Sequence, residues 1–428
     1  MTATVSLVVL LVVLGSSIAV AAGMALVGLI LNEFYSPMPL SRMMGELAWA
    51  TSSNFILTAI PFYIMFGEIL LRSGIAERMY NAMTQWLSWL PGGLMHSNVG
   101  SCALFGSVSG SSVATAATIG VVAMGEIDKH KYNERLFLGT LAAGGTLGIL
   151  IPPSINMIIY GVMTDTSVPK LYLAGFIPGF ILTVLFSLTV LIACIWKPHW
   201  GGERIETSWE ERWRTLPDLL PPTVLLLIVV GAIFFGVATA TESAAVGILG
   251  ALAIAGWRRR ITLTMLREVC EGTVRTTAMV VAILVGAFFL NVVIQTIGLT
   301  QQLGTLIRAY ELTPGQVLTA VIVLYLVLGT FMEELSMMIS TIPITTPLII
   351  QAGYDPVWFG ILLVLLIQTA MISPPFGINL FVIHGIRGRG TLSDVEIGSA
   401  PFVIALLVMI GIICAFPDTV MWLPRVVG

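Results

Sequence analysis

Charged residues are scarce in this sequence. They make up 10% of its 428 residues, while hydrophobic residues make up 57%, whereas about 25% charge is usual for soluble domains. The scarcity excludes a soluble globular protein, and a formal net charge of -3 with scattered basic residues excludes a nucleic-acid-binding surface. Because one membrane-spanning helix takes about 20 apolar residues, we predict an all-α polytopic protein of about ten to twelve spans in a lipid bilayer.

Cysteine and histidine are also rare. The four cysteines lie far apart without a CxxC pair, and the four histidines fall mostly in loops or near membrane interfaces. Disulfides and a zinc site are therefore not expected. The sequence also lacks a nucleophile with its base, a P-loop lysine and a metal-binding helix motif. We predict that the chain is not an enzyme and that it carries no cofactor.

The first half of the chain contains two interrupted apolar segments. Residues 106–112 read GSVSGSS, and residues 151–156 read IPPSIN. A Gly/Ser break at membrane depth is tolerated only where protein buries it or where it lines a wet cavity, and the prolines remove backbone donors. We predict a hairpin over about 92–125 and a broken helix ending near residue 164. A small-residue contact between helices is the alternative explanation of the Gly/Ser run.

The same two parts recur in the second half. We predict a hairpin over about 313–351 and a broken helix over about 355–386. Their motifs are LGTFMEE at 328–334, TIPITTP at 341–347 and SPPFGIN at 373–379. Gly106 precedes Pro152 by 46 positions, and Gly329 precedes Pro374 by 45. The shared order and spacing indicate an internal duplication.

The order of the segments divides the chain into five predicted parts: N-terminal scaffold helices (1–90), the first half of a transport domain (91–165), scaffold and connector helices (166–297), the second half of the transport domain (313–386) and a C-terminal helix (387–428). Further spans are predicted at 4–31, 51–71, 170–196, 218–237, 242–257, 268–297 and 398–424. Residues 197–215 alternate tryptophans with charges, which is typical of an amphipathic connector on the membrane surface.

Lysines and arginines concentrate in four loops, which the span count places on one side of the membrane. By the positive-inside rule this side is cytoplasmic. The two hairpins then enter from opposite sides, so the repeats are inverted, as in secondary transporters. Counting back places the N-terminus outside, provided that residues 75–90 cross the membrane.

Several polar residues in apolar surroundings are candidates for a substrate cavity: Ser111, Asn156, Thr341, Thr345 and Asn379. The two asparagines follow the two Pro-Pro pairs at nearly equivalent places, which favours a cavity, although either could bond a neighbouring helix. The threonines could supply ligands or bond their own helix.

Four acidic residues lie in or beside apolar segments. Glu333 and Glu334 are adjacent, which at membrane depth indicates function, unless the tip of the second hairpin reaches the outer surface and both are solvated. Glu68 and Glu242 could carry protons, but they lie near the ends of predicted spans and are expected to pair or to cap helices.

The motifs resemble those of one transporter family. GSVSGSSVATAATIG at 106–120, GILIPPSINMIIYG at 148–161 and ISPPFGINLFV at 372–382 resemble the large membrane subunit (DctM, or M subunit) of tripartite ATP-independent periplasmic (TRAP) transporters. The resemblance covers essentially the whole chain. It implies a sodium-driven importer of a small carboxylate in the bacterial inner membrane, working by an elevator motion. The implied partners are a small four-helix membrane subunit and a periplasmic substrate-binding protein, with an unfused chain expected here.

The resemblance also implies two sodium sites. The first lies between the first hairpin tip and the facing broken helix: Ser107, Ser109, Gly110, Gly145 and Pro152. The second lies between the second hairpin and the second broken helix: Gly329, Thr369 and Ile372. Two other readings remain open at this point. One is a stand-alone sodium–dicarboxylate carrier, and the other is an intramembrane enzyme that uses the adjacent acid pair of the second hairpin.

Overall fold

The computed structural model describes residues 18–36, 38–203, 205 and 207–427, and within these ranges it contains helices and turns but no strand. The start of the predicted span 4–31 lies outside the described residues. Four described helices are long and apolar enough to cross a membrane: Val168–Trp196, Ala240–Trp257, Leu263–Thr296 and Leu392–Ala415. A further helix covers Val20–Tyr35.

Two bent pairs of helices add further candidate spans. They are Leu40–Ser52 with Ile56–Arg72, bent by 60°, and Trp209–Asp218 with Leu220–Phe234, bent by 44°. The predicted span 51–71 therefore corresponds to Ile56–Arg72, which begins after the bend, while the helix before the bend ends at Ser52. The helix ends because the Ser53 hydroxyl donates to the Trp49 carbonyl at 2.7 Å and the Asn54 side chain accepts from the Ile56 N–H at 2.9 Å. Such local side-chain bonds compete with helix continuation.

The helix Ile75–Leu87 does not cross the membrane. It has 13 residues, which is about 20 Å, whereas the hydrocarbon core is about 30 Å thick. Its last turn packs against the basic connector: Trp86 meets the Trp213 ring edge-on at 6.0 Å, and the Arg212 Nε donates to the Gln85 carbonyl at 3.1 Å. The helix therefore lies along the face that carries the connector.

This placement reverses the direction of the first described helix. A Cβ atom added to Gly286 would lie 2.7 Å from the Ala21 carbonyl oxygen, and one added to Gly28 would lie 3.6 Å from the Leu290 Cα. The helix Val20–Tyr35 thus runs parallel to the 34-residue helix that starts from a basic loop. The described part of the first helix therefore runs away from the basic side, opposite to the direction that the span count gives, while the N-terminal end itself lies outside the described residues.

Both hairpins are present. The first consists of Leu94–Ser109 and Ser112–Ala123, and the second of Pro314–Leu328 and Glu334–Gln351. Their arms have 16, 12, 15 and 18 residues, which corresponds to about 18–27 Å. Each arm is shorter than the hydrocarbon core, so each hairpin turns back within it.

Both broken helices are also present. The first runs through Glu134–Thr146 and a 3-10 turn, Leu147–Ile149, and resumes at Ile155–Thr164. The second consists of Pro356–Ile372 and Ile378–Arg387. In each, the interruption contains the Pro-Pro pair.

The two broken helices run in opposite directions. At one end Arg387 Nε donates to Glu134 Oε1 at 2.8 Å, which joins the end of the second broken helix to the start of the first. At the other end Tyr160 Oη donates to the Pro356 carbonyl at 2.7 Å, which joins the end of the first to the start of the second. The repeats are therefore inverted, as the sequence predicts.

The segments around the repeats differ from the prediction in one more place. The predicted span 398–424 is instead the helix Leu392–Ala415, followed by a second helix, Asp418–Val427. The chain turns at Phe416 and Pro417 because proline has no N–H with which to continue the helix. The connector contains a 3-10 turn at Pro198–Gly201 and the helix Trp209–Thr215, and an amphipathic helix, Leu299–Ala309, leads into the second hairpin.

Candidate functional site

The tip of the first hairpin is closed by its small residues. Gly110 ends the first arm with a φ of +63°, a left-handed conformation that favours glycine, and its N–H donates to the Gly106 carbonyl at 2.8 Å. Ser111 caps the return arm. The hydroxyls of Ser109 and Thr115 lie 2.8 Å apart. The tip therefore presents hydroxyl and carbonyl oxygens in a compact turn.

This tip lies against the break in the first broken helix. A Cβ atom on Gly106 would lie 2.7 Å from the Gly148 Cα, and one on Gly110 would lie 3.2 Å from the Pro153 carbonyl oxygen. Both distances are shorter than an ordinary carbon contact of about 3.5–4.0 Å. The absence of side chains at these positions is what allows the two backbones to meet.

The predicted ligands of the first sodium site have different surroundings. Ser109 and Gly110 lie beside the break that contains Pro152. The Ser107 hydroxyl donates to the Leu104 carbonyl of its own helix at 2.8 Å. Gly145 packs on the return arm, since a Cβ there would lie 2.6 Å from the Ala116 Cβ. The structure thus brings the hairpin tip to the break, while the assignment of individual ligands stays a prediction.

The second predicted sodium site joins the second hairpin to the second broken helix. A Cβ on Gly329 would overlap the Cβ of Ala370. The Thr369 hydroxyl donates to the Leu365 carbonyl at 2.8 Å, and Ile372 is fully buried. The predicted residues lie at one contact between the two elements, and their role as ligands also stays a prediction.

A cavity of about 350 Å³ lies where the two hairpin tips meet. Two scaffold helices, Ile56–Arg72 and Leu263–Thr296, form the opposite wall. Its polar lining consists of these residues: Glu68, Ser109, Ser111, Asn156, Thr276, Glu333 and Glu334. A cavity of this size is typical of small-molecule sites. Ser111 and Asn156, both predicted for a substrate cavity, line it.

Three helices begin at this cavity: Ser112–Ala123, Ile155–Thr164 and Glu334–Gln351. The N-terminal end of a helix carries a partial positive charge and free N–H groups, which favour bound anions. The hairpin turn and the proline break are what place helix N-termini at this depth. The Glu333 carboxylate caps the third helix, so the N-termini of the first two provide the backbone-based attraction for negative charge.

The three carboxyl groups of the cavity are not equivalent. Glu68 pairs with Arg72 of its own helix. Glu333 Oε2 accepts from the Ser336 N–H and hydroxyl, both at 3.0 Å, and so caps the return arm of the second hairpin. In the described part of the chain, Glu334 Oε2 is buried and has no hydrogen-bond partner. Of the three, Glu334 is the one with a fully buried carboxyl oxygen that lacks a partner among the described residues.

Asn379 lies away from this cavity. Its Nδ2 donates to the Ser112 hydroxyl at 2.9 Å and to the Ala142 carbonyl at 3.0 Å, which ties the second broken helix to both elements of the first repeat. Gln368, which the sequence analysis missed, acts similarly by donating to the Thr146 carbonyl at 2.7 Å. The sequence feature that indicates Gln368 is a single amide side chain within an apolar helix.

Thr341 and Thr345 also lie outside the cavity lining. The Tyr325 hydroxyl lies 2.5 Å from the Thr341 Oγ1 and 2.9 Å from the Thr345 Oγ1. Each threonine also donates to a carbonyl of its own helix. These contacts join the two arms of the second hairpin around its prolines.

The scaffold contributes residues that sequence patterns did not indicate. A Cβ on Gly67 would lie 2.8 Å from the Ser109 carbonyl oxygen, so the scaffold helix packs directly on the first hairpin tip. Thr276 adds a hydroxyl to the lining from the long helix. Neither position differs in sequence from an ordinary helix contact.

Comparisons with known proteins agree with this architecture. Residues 5–419 match the family model of the DctM component of the tripartite ATP-independent periplasmic transporter. The chain is 30% identical over 388 residues to the C4-dicarboxylate TRAP transporter large permease protein DctM of Pseudomonas aeruginosa, covering 90% of each chain. It is also 30% identical over 373 residues to the sialic acid TRAP transporter large permease protein SiaM of Vibrio cholerae, covering 87% of each.

Among solved structures, the YdaH transporter of Alcanivorax borkumensis has a similar fold. The TM-score is 0.61 at 13% sequence identity, with 94% of this chain and 98% of that chain covered. The relatives are named as transporter permeases, which agrees with the prediction that the chain is not an enzyme. This multi-pass membrane protein belongs to the DctM family of TRAP transporter large permease subunits.

Proposed function

We propose that the chain is the permease subunit of a sodium-coupled importer of a small carboxylate. The observation that carries this proposal is the meeting of helix N-termini at one cavity, where those of Ser112–Ala123 and Ile155–Thr164 are not capped by a carboxylate. Their partial charges favour an anion without a lining arginine or lysine. The names of the two permease relatives specify a C4-dicarboxylate and sialic acid, which are both carboxylates.

We propose that sodium binds at the contacts between hairpins and broken helices. Sodium prefers oxygen ligands, and the Ser109 hydroxyl with the carbonyls around the first break provides them. A bound cation beside the cavity would strengthen its attraction for an anion. The contact around Gly329 and Thr369 is the proposed second site. Sodium entry is then coupled to carboxylate uptake, because the sodium ions and the carboxylate stabilise the same closed arrangement of the hairpin tips.

The proposed motion is an elevator movement. The hairpins and broken helices (91–165 and 313–386) would form a transport domain that slides against the scaffold (1–90 and 166–297), with residues 387–428 following. The cavity lies between these groups, where Gly67 packs on the backbone of Ser109. Because glycine has no side chain, the two surfaces do not interlock at this contact and can slide past each other. Rigid-body movement around a midplane site is typical of transporters with inverted repeats.

The proposed assembly has two further proteins. A periplasmic substrate-binding protein would deliver the carboxylate, and a small four-helix membrane subunit would enlarge the scaffold, all at the bacterial inner membrane. The relatives are named as large permease proteins of TRAP transporters, which supports partners of this kind.

Reconstitution tests this function. The binding protein is screened against carboxylates by thermal stabilisation, and the acid with the largest shift serves as the radiolabelled probe. We expect uptake into proteoliposomes that needs an inward sodium gradient, the binding protein and the small subunit together. Equal uptake with potassium in place of sodium would contradict sodium coupling, and uptake by this chain alone would contradict the proposed partners.

A pair of hydroxyl deletions on the first hairpin tests the first ion site. Ser109→Ala removes the tip hydroxyl, and we expect the sodium concentration for half-maximal uptake to rise about tenfold, equivalent to about 1.4 kcal/mol. Thr118→Val is the matched control, because the Thr118 hydroxyl donates to the Ala114 carbonyl of its own helix at 2.7 Å and is not part of the cavity lining. An unchanged sodium dependence in Ser109→Ala would refute the site.

A further inference from the structure

The cavity between the hairpin tips contains two polar groups that lack a protein partner among the described residues. One is Asn156 Nδ2, on a side chain that is only 2% exposed. The other is Glu334 Oε2. Both residues line the cavity. A buried polar atom without a partner is destabilising, so each is positioned for a ligand that supplies the missing bond.

The two groups have opposite hydrogen-bonding character. The Asn156 amide donates through its nitrogen, whereas the unpartnered Oε2 of Glu334 is a carboxyl oxygen that can accept a hydrogen bond. Asn156 lies in the first turn of its helix, where free N–H groups also donate. One part of the cavity therefore suits a carboxylate, and another suits a hydrogen-bond donor.

The other two carboxyl groups of the cavity already bond protein groups. Glu68 is occupied by Arg72, and Glu333 Oε2 is occupied by Ser336 at the helix cap. A substrate whose only polar groups were ionised carboxylates would offer no donor to Glu334 Oε2, and this buried oxygen would stay unpaired.

Building on the proposed function, we infer that Glu334 selects small carboxylates that also carry a hydroxyl or ammonium group. The substrate carboxylate lies at Asn156 and the adjoining helix N-terminus, and the donor group bonds Glu334. A site built around such a bond rejects the analogue that lacks the donor, because the buried acceptor is then left unpaired. Glu334 is thus a specificity determinant at the tip of the second hairpin.

Binding to the purified full chain in sodium chloride tests this inference. The probes are two triads with matched carbon skeletons: propionate, lactate and alanine, and succinate, malate and aspartate. Dissociation constants are obtained from the concentration dependence of thermal stabilisation. In each triad we expect the hydroxylated or amino acid to bind at least about tenfold more tightly than the plain acid.

Three variants separate the roles of the two residues. In Glu334→Ala the affinity ratio of the donor-bearing acid to the plain acid should fall to roughly one. The donor-bearing acid loses its hydrogen-bond acceptor, and the plain acid no longer leaves that acceptor unpaired. Glu334→Gln keeps the volume and one acceptor oxygen, so it should retain part of the preference for lactate and malate. Asn156→Ala should weaken all the acids by a similar factor. Glu210→Gln, at an exposed position in the connector, is the control for loss of an unrelated carboxylate.

The outcomes distinguish the inference from the function on which it rests. Sodium-dependent binding of acids without any preference for a donor group would overturn the inference alone. A preference that persists in both Glu334 variants would also overturn it. If no acid in either triad stabilised the wild-type protein in sodium, the inference and the proposed carboxylate site would both be wrong.

Discussion

The contact between Gly106 and Gly148 yields a quantitative test of how the first hairpin is held. In Gly106→Ala the new Cβ would lie 2.7 Å from the Gly148 Cα and 2.9 Å from its nitrogen, roughly 1 Å closer than an ordinary carbon contact. The neighbours are backbone atoms, so no side chain can rotate away. Overpacking of this kind costs about 1–3 kcal/mol, and the higher helix propensity of alanine offsets about 0.8–1.0 kcal/mol of that. We expect a net loss of up to about 2 kcal/mol in the free energy of unfolding.

The matched control is Gly411→Ala, in the C-terminal helix. A Cβ there meets nothing within 4 Å, so this variant gains helix propensity without overlap. The difference between the two variants isolates the overlap and should be about 1–3 kcal/mol. The free energy of unfolding is measured by SDS titration in mixed micelles, and sodium-dependent uptake is measured in proteoliposomes. If Gly106→Ala matched Gly411→Ala in both measurements, the close approach of hairpin and broken helix would be refuted.

Four further substitutions test contacts outside the cavity. Asn379→Leu should lower the free energy of unfolding by about 1–3 kcal/mol and leave the half-saturating sodium concentration unchanged; a changed sodium dependence would assign Asn379 to the ion or substrate site instead. Arg387→Gln should lower the free energy of unfolding by about 2 kcal/mol because this 5% exposed side chain bonds two carboxylates. Arg389→Gln should have a smaller effect, because Arg389 is 52% exposed and water screens its ion pairs. Equal losses would contradict that ranking. Tyr325→Phe should lower the free energy of unfolding by about 1 kcal/mol, and an unchanged SDS midpoint would show that its two threonine contacts contribute nothing.

The repeats could be predicted from the sequence because broken backbone leaves marks in it. The hairpins predicted at about 92–125 and 313–351 correspond to helices that span 94–123 and 314–351. Glycine, serine and proline are rarely clustered in an apolar helix without a structural reason, and their equal spacing revealed the duplication. The pairing of Glu68 and the capping by Glu242, which accepts from the Thr239 N–H at 2.8 Å, were also predicted correctly.

The elements that the sequence did not resolve are those decided by tertiary contacts. Hydropathy alone does not distinguish a short amphipathic surface helix from a span, and the error at Ile75–Leu87 then reversed the direction assigned to the first helix. The bend at 53–55 depends on two local side-chain bonds that a hydrophobic window does not register.

The two asparagines show the same limit at the site. Asn156 and Asn379 follow the Pro-Pro pairs at nearly equivalent positions in sequence, yet only Asn156 lines the cavity. The first hairpin packs over the second broken helix, so Ser112 reaches Asn379 and bonds it. Inverted repeats share a backbone plan, but their contacts diverge wherever the two copies face different neighbours.

The bond between Asn379 and Ser112 has a consequence for biosynthesis. The ribosome synthesises the first hairpin more than 250 residues before Asn379, whose side chain bonds it. Glu333 and Glu334, at the tip of the second hairpin, are also synthesised late. During that interval the small-residue turn has no second half to close it. A nascent polypeptide arrested before residue 379 should therefore leave this turn accessible to water-soluble thiol reagents at an introduced cysteine, and the completed protein should protect it.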